Sequence, residues 1–196
     1  MTEPRRADAE RRPTTPVRIL YAAAQRVVSD GAANLSMQDV ADTAGVSKGL
    51  IHYHFHDKET LLTRLIEWMI RESVARERAA LARSTPKTAV EDLWTWLAGE
   101  LARGHLRVLI ELTQERGQLI GDATRVAARS RREAAGATVT RLFDVLELRP
   151  RVPVPLLADV VVAFVDGLAV YASVSPESNH RVAFDIFWLS LLSLAE

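Results

Sequence analysis

The chain has no cysteine, which excludes disulfides and thiolate metal sites and is compatible with a reducing cytoplasm. It has no excess of either charge: 25 basic residues face 25 acidic ones, and the net charge is zero. Total charge therefore gives no support to a nucleic-acid partner, and such a function depends on where the positive charge is placed. Lysine is scarce, with only Lys48, Lys58 and Lys87. No apolar run precedes the first helical pattern, which argues against a secretory signal. Period-2 alternation and internal repeats are missing, so the architecture reads as all-α. Nucleophile–base pairings, phosphate loops and metal signatures are missing too, and neither an enzyme nor a cofactor is expected.

What is present is an ordinary globular composition, 48% hydrophobic in 196 residues, enough for one compact unit or a small domain plus a larger one. The most informative stretch runs from Leu35 to Glu59. Ser36 and Asp39 form a capping box: the serine oxygen accepts from the amide three residues on, and the carboxylate reaches back. A helix starting at Met37 then turns Met37, Val40, Ala41 and Ala44 inward. Gly45 tolerates the left-handed conformation that ends it. Val46 plugs the corner, and Ser47 caps a second helix running to Phe55, with Leu50, Ile51 and Phe55 as core.

Helix, glycine turn, helix is the helix-turn-helix plan, whose second helix lies in the major groove of double-stranded DNA. A generic two-helix corner has the same glycine, so spacing alone does not decide the matter. On the helix-turn-helix reading, Lys48 and Tyr53 are the leading DNA contacts, followed by Ser47, Gly49 and His52. Lysine suits guanine or phosphate, tyrosine suits phosphate, and Gly49 lets the backbone come close. His52, His54 and His56 do not make a metal site. Only His52 and His56 share a helix face, and no carboxylate is spaced to complete a tetrahedron.

The segment GAANLSMQDVADTAGVSKGLIHYHFHDKETLL resembles the DNA-binding segment of TetR-family transcriptional regulators. The matching elements are Ala44, Gly45 and Val46 in the turn, then Tyr53, His54 and Phe55, then Lys58, Glu59, Leu61 and Leu62 at the start of a fourth helix. The resemblance runs from Val17 to Leu65; beyond it only the all-helical plan matches. It implies that Lys58 contacts phosphate and that His54 sits at the domain edge. It also implies a homodimer built as a four-helix bundle from the last two helices, and a small-molecule effector in the larger domain.

Along the rest of the chain, residues 1–16 carry Arg5, Arg6, Arg11 and Arg12 among prolines and read as a disordered basic arm, either a solvated tail or a minor-groove arm. Residues 17–56 form the helix-turn-helix domain, roofed by a first helix over Val17–Asp30. Residues 57–196 form a larger helical domain for effector binding and dimerisation, entered through a long fourth helix that Asp57 caps. Pro86 opens the next helix, with Thr85 or Thr88 as cap. Gly104, Gly117 and Gly121 punctuate a shorter one, and a further helix spans Asp122–Leu148. Val154–Val174 is apolar almost all round, long enough for a membrane span, yet Asp159 and Asp166 argue for burial on both sides instead.

Trp94, Trp96, Phe143 and Phe164, with Glu111 and Glu115, are the candidate effector contacts, because bundle pockets are mostly apolar with few polar groups. Trp96 lies off the apolar stripe of its helix and is the more interesting tryptophan. Asp166, Val170, Phe184, Phe187, Trp188 and Leu191 are the candidate dimer contacts. The reading is a cytoplasmic, dimeric, ligand-responsive repressor of a palindromic operator. Its rivals are an effector-independent DNA-binding regulator and an enzyme housed in the helical domain.

Overall fold

The computed structural model describes residues 13–196. The basic arm expected at residues 1–16 lies almost wholly outside them. Among the described residues there are nine helices and no strand. In chain order they are α1 (Thr15–Asp30), α2 (Met37–Ala44), α3 (Lys48–Phe55), α4 (Lys58–Leu81), α5 (Ala89–Arg103), α6 (His105–Leu112), α7 (Gln118–Val145), α8 (Val154–Val174) and α9 (His180–Leu192). An isolated antiparallel bridge between Pro150 and Ala195 ties the C-terminal residues back to the loop before α8.

The helix boundaries follow local chemistry. Ser36 accepts the Asp39 amide at 3.1 Å and starts α2. The Asp39 carboxylate accepts the Ser36 hydroxyl at 2.5 Å, so the pair closes side chain to side chain rather than onto the serine amide. Gly45 takes φ 63°, ψ 43°, and the Val46 amide reaches the Ala41 carbonyl at 3.0 Å, which stops α2 within one residue. Ser47 Oγ accepts the Leu50 amide at 3.2 Å to start α3. Asp57 accepts the Thr60 amide at 2.7 Å to start α4, and that bond holds the Asp57 carboxyl below its ordinary range.

Two expected boundaries move. Gly121 breaks nothing: α7 begins at Gln118 and runs through it, because a helix supported along its length by α4 and α8 tolerates an interior glycine. Pro86 sits in the turn before α5, which opens at Ala89 just after Thr88.

Two hydrophobic cores divide the interior. The first joins α1, α2 and α3 to the first half of α4, from Leu61 to Ile70. It also takes in Val108, Leu109 and Leu112 of α6 and Ile120, Ala123 and Ala127 of α7. The second gathers Leu81, α5, the second half of α7, α8 and α9. A boundary at residue 57 thus separates sequence segments but not packing: α4, α6 and α7 reach into the core of the helix-turn-helix.

Helix α8 is long and apolar enough to cross a membrane by length and composition alone. One of its stripes, Leu157, Ala158, Val161, Val165, Leu168 and Ala169, is buried within the chain. Arg131 and Arg132 of α7 pair with Asp166 and Asp159, lacing the two helices together. Its outward side carries Leu156, Val160, Val170, Tyr171 and Val174, continued on α9 by Val182, Ile186 and Leu189.

Candidate functional site

Ile51 and Phe55 anchor α3 in the first core, and its other faces are presented to solvent. Ser47, Lys48, Gly49, His52 and Tyr53 are all exposed, Tyr53 at 74%. Leu50 is only half-buried and is not part of the core expected for it, since one turn of α3 offers just two inward positions. His54 is half-buried between Tyr53 and Phe55, with ring centroids 5.1 and 6.2 Å away, which suits a packing role. His52 is held in place by its ring Nδ1, which meets the His56 carbonyl at 2.7 Å. That carbonyl is an acceptor, so Nδ1 carries the proton.

The scaffold around α3 is cross-braced. The Arg18 guanidinium donates to the Ala44 carbonyl at 2.8 Å, satisfying an end group of α2 beside the turn. Lys58 donates its ammonium to the Ala33 carbonyl at 2.9 Å. The expected phosphate contact at Lys58 is thus engaged within the chain, locking the start of α4 to the loop before α2. Sequence reasoning missed Arg18, because nothing local in sequence links it to a turn 26 positions away.

In the larger part of the chain, two cavities share Arg131 and Val162 as a common wall. The larger, about 520 Å³, lies between α4, α6, α7 and α8. It is lined mainly by apolar groups, among them Ile66, Ile70, Leu109, Ile110 and Ala127, with Thr113, Thr124 and the Arg131–Asp166 pair. The smaller, about 40 Å³, lies between α4, α5, α7, α8 and α9. Trp96, Phe164, Phe184, Phe187 and Trp188 line it, together with Glu77, Ser73 and Thr138. Phe164 and Phe187 stack face to face, 3.9 Å between centroids.

Of the expected effector contacts, the structure brings Trp96 and Phe164 to this small cavity. The Trp96 indole N–H is buried without a hydrogen-bond partner among the described residues. Phe143 is instead fully enclosed core. Trp94 packs on Phe184 at 5.2 Å beneath the Arg181 guanidinium, away from both cavities. Glu111 faces the opposite way and accepts the Ala32 amide at 2.6 Å, while Glu115 lies in the turn after α6. The helical stripe that suggested these residues cannot tell which of its neighbours pack on the helix-turn-helix.

Glu77 was the residue to find. Ile66, Ile70, Ser73, Glu77 and Leu81 fall on one buried stripe of α4, and a carboxylate on such a stripe is the signal. It is 8% exposed, and its Oε1 accepts the Thr138 hydroxyl at 2.5 Å. Burial pushes its carboxyl above the ordinary range, only partly offset by that hydrogen bond and by Arg131. His105, buried at the start of α6, is pushed below its ordinary value by the same desolvation.

The dimer candidates also divide. Phe184, Trp188 and Leu191 are buried within the chain itself, Trp188 at 4% exposure, so they are not on a free surface. Phe187 is half-buried against Phe164, and Asp166 is paired with Arg131. Val170 alone of the six is an exposed apolar side chain. On α9 the aromatic stripe faces inward, since rings bury the most area, and the aliphatic stripe of Val182, Ile186 and Leu189 faces out.

Residues 19–65, which hold α1 to α3 and the start of α4, match the family model of bacterial regulatory proteins, tetR family. Over those residues the chain is similar to the DNA-binding segment of the TetR family. Its helix-turn-helix and helical C-terminal part together have the fold of solved TetR-family regulators. It is 36% identical over 90 residues to the HTH-type transcriptional regulator CymR of Pseudomonas putida, a match covering 46% of this chain and 44% of that protein. With the HTH-type transcriptional regulator BetI of Stenotrophomonas maltophilia it shares 27% identity over 188 residues, 85% of this chain and 87% of that one. The fold is similar to that of the transcriptional regulator FadR from Bacillus subtilis in complex with stearoyl-CoA. The TM-score is 0.68 at 19% identity, over 90% of this chain and 96% of that one.

Proposed function

We propose that this chain is a TetR-family regulator, a ligand-responsive repressor of the cytoplasm that binds an inverted-repeat operator as a dimer and is released by a small, largely apolar effector. The observation that carries the DNA half is α3: Ser47, Lys48, Gly49, His52 and Tyr53 form one exposed surface on a helix anchored by Ile51 and Phe55. Lys58 stands behind that surface as a brace, and the positive end of α4 lies beside it.

Dimerisation is supported by the outward aliphatic stripes of α8 and α9, an exposed apolar surface of the kind that marks an interface. We place the dimer contact on Leu156, Val160, Val170, Ile186 and Leu189 in preference to the buried aromatics. The effector half is supported by the cavity of about 520 Å³, whose walls include Ile66 and Ile70 of α4 and Leu109 and Ile110 of α6. The complex of FadR with stearoyl-CoA is a ligand-bound example of the same fold. A ligand acts only through its difference in affinity for the DNA-bound and released arrangements; about 10-fold looser DNA binding needs roughly 1.4 kcal/mol.

The test is selection of bound fragments from randomised duplex DNA, repeated with Lys48→Ala/Tyr53→Ala and at two salt concentrations. A palindrome enriched by the unmodified protein and lost in the double variant is expected. Retention without sequence enrichment that disappears at higher salt would reduce the interaction to electrostatics and overturn the proposal.

A further inference from the structure

The two buried carboxylates among the described residues, Glu77 and Glu100, are treated differently. Glu100, fully enclosed, accepts two hydrogen bonds from Arg76 at 2.6 and 3.1 Å and one from Arg103 at 3.3 Å. Glu77, nearly as deep, accepts the Thr138 hydroxyl and has no ion-pair partner among the described residues. The nearest guanidinium on its cavity, that of Arg131, is already engaged through both terminal nitrogens by Asp166. Arg131 lines the cavity with its charge already matched by Asp166 on the neighbouring wall, so the Glu77 carboxylate is left over.

A buried charge without a partner is costly, so an empty cavity favours the protonated acid. The other charges acting on Glu77 are Arg131 from α7, Glu100 from α5 and Arg78 from α4; they are of mixed sign and leave burial dominant. A positive group delivered to the cavity would take up the missing role. The surroundings are aromatic: Trp96, Phe164, Phe187 and Trp188 line the cavity, and aromatic surroundings are compatible with a cation. Size is equally restrictive. About 40 Å³ admits a compact head group but no ring or branched body, whereas the adjoining cavity of about 520 Å³ is apolar and ligand-sized. Val162 and Arg131 line both, so the two spaces adjoin along those side chains, and Asp166 lines the larger one.

We infer that the effector is an amphipathic amine: an ammonium head seated against Glu77 in the small aromatic cavity, with an apolar body lying past Val162 in the large one. An anionic head would face Glu77 and would have to displace Asp166 from Arg131. A neutral head would meet the protonated acid with one hydrogen bond and no charge pairing. The inference rests on the effector half of the proposed function, yet binding can be measured without DNA.

The test compares 4-phenylbutylamine, 4-phenylbutanol and 4-phenylbutyrate, one body with three heads, by calorimetric titration of the full chain. The amine should bind at least about 10-fold more tightly than the other two. It should also release protons as Glu77 ionises, and gain affinity as pH rises from about 5 to about 8. Glu77→Gln should remove the amine's preference over the alcohol and the proton release. Equal affinities for amine and alcohol, preference for the carboxylate, or amine binding unaltered in Glu77→Gln would each overturn the inference. The pH series on the unmodified protein decides the matter even if the variant is poorly folded. Operator binding is then measured with and without the amine. Tight amine binding that leaves DNA affinity unchanged refutes effector control but not the site, and failure of all three ligands to bind refutes the site while operator recognition stands.

Discussion

Glu111 on α6 accepts the backbone amide of Ala32 at 2.6 Å, joining two residues 79 positions apart across the junction of the helix-turn-helix and the helical domain. A charge-assisted bond to a partly buried amide contributes roughly 1.5–3 kcal/mol. Glu111→Ala should therefore lower unfolding free energy by about 1.5–3 kcal/mol in a denaturant titration. Arg107, which reaches the Val28 carbonyl at 3.3 Å from an exposed position, offers a contrast: Arg107→Ala should change stability by less than about 0.5 kcal/mol. If both variants behave alike, the junction is held by packing and not by Glu111.

At Gly45 the strain of a side chain is conformational and not steric. An added Cβ meets nothing closer than Arg18 Nη2 at 3.9 Å, yet φ is +63°. Gly45→Ala should cost about 1–2 kcal/mol in thermal unfolding, the usual penalty for an L-residue in that region. Operator affinity should fall as well, because the turn sets the angle of α3. Unchanged stability would show that the turn can relax.

The two stripes of α9 should respond in opposite ways. Leu189, 69% exposed, is on the proposed dimer surface, and Leu189→Glu should yield a folded monomer in sedimentation equilibrium with its helical circular dichroism intact. Its neighbour Trp188 is enclosed with Phe184 and Phe187, and Trp188→Ala should lose about 3–5 kcal/mol of folding stability. A dimer that survives Leu189→Glu would move the interface elsewhere.

Glu77 makes stability depend on pH. Its folded-state value is raised, so its contribution is fully present below the ordinary carboxylate range and is lost as pH rises through the raised value. Without ligand, Glu77→Gln should thus be more stable than the parent at neutral pH, and the difference should close as pH falls below about 4.5. Urea titrations at three pH values measure this. A difference that stays constant with pH would mean the carboxyl is not buried in its neutral form.

The helix-turn-helix was legible because its determinants are local. Ser36, Gly45, Ser47 and Asp57 each act within a few residues, and each does so in the structure. The all-α plan was legible for the same reason, through helical periodicity from Leu61 onward. What the sequence did not reveal is which of two apolar stripes faces inward when both are apolar. On α9 the aromatic stripe was assigned to the partner and proves to be core. The cavity was half-legible. Trp96 stood out by being off its stripe, whereas Glu77 is hidden on a stripe of α4, and Glu111 serves a contact that only the tertiary fold creates.

The division of the interior into two cores has a mechanical corollary. Ile66, Ile70, Leu109 and Ala127 line the large cavity and are at the same time members of the core that supports α3. A molecule entering that space changes the reading head's own foundations, with no signal needing to travel the length of a helix. On the proposed function, sensor and reader share one set of bricks, and even a modest refilling of that space would alter the seat on which α3 rests.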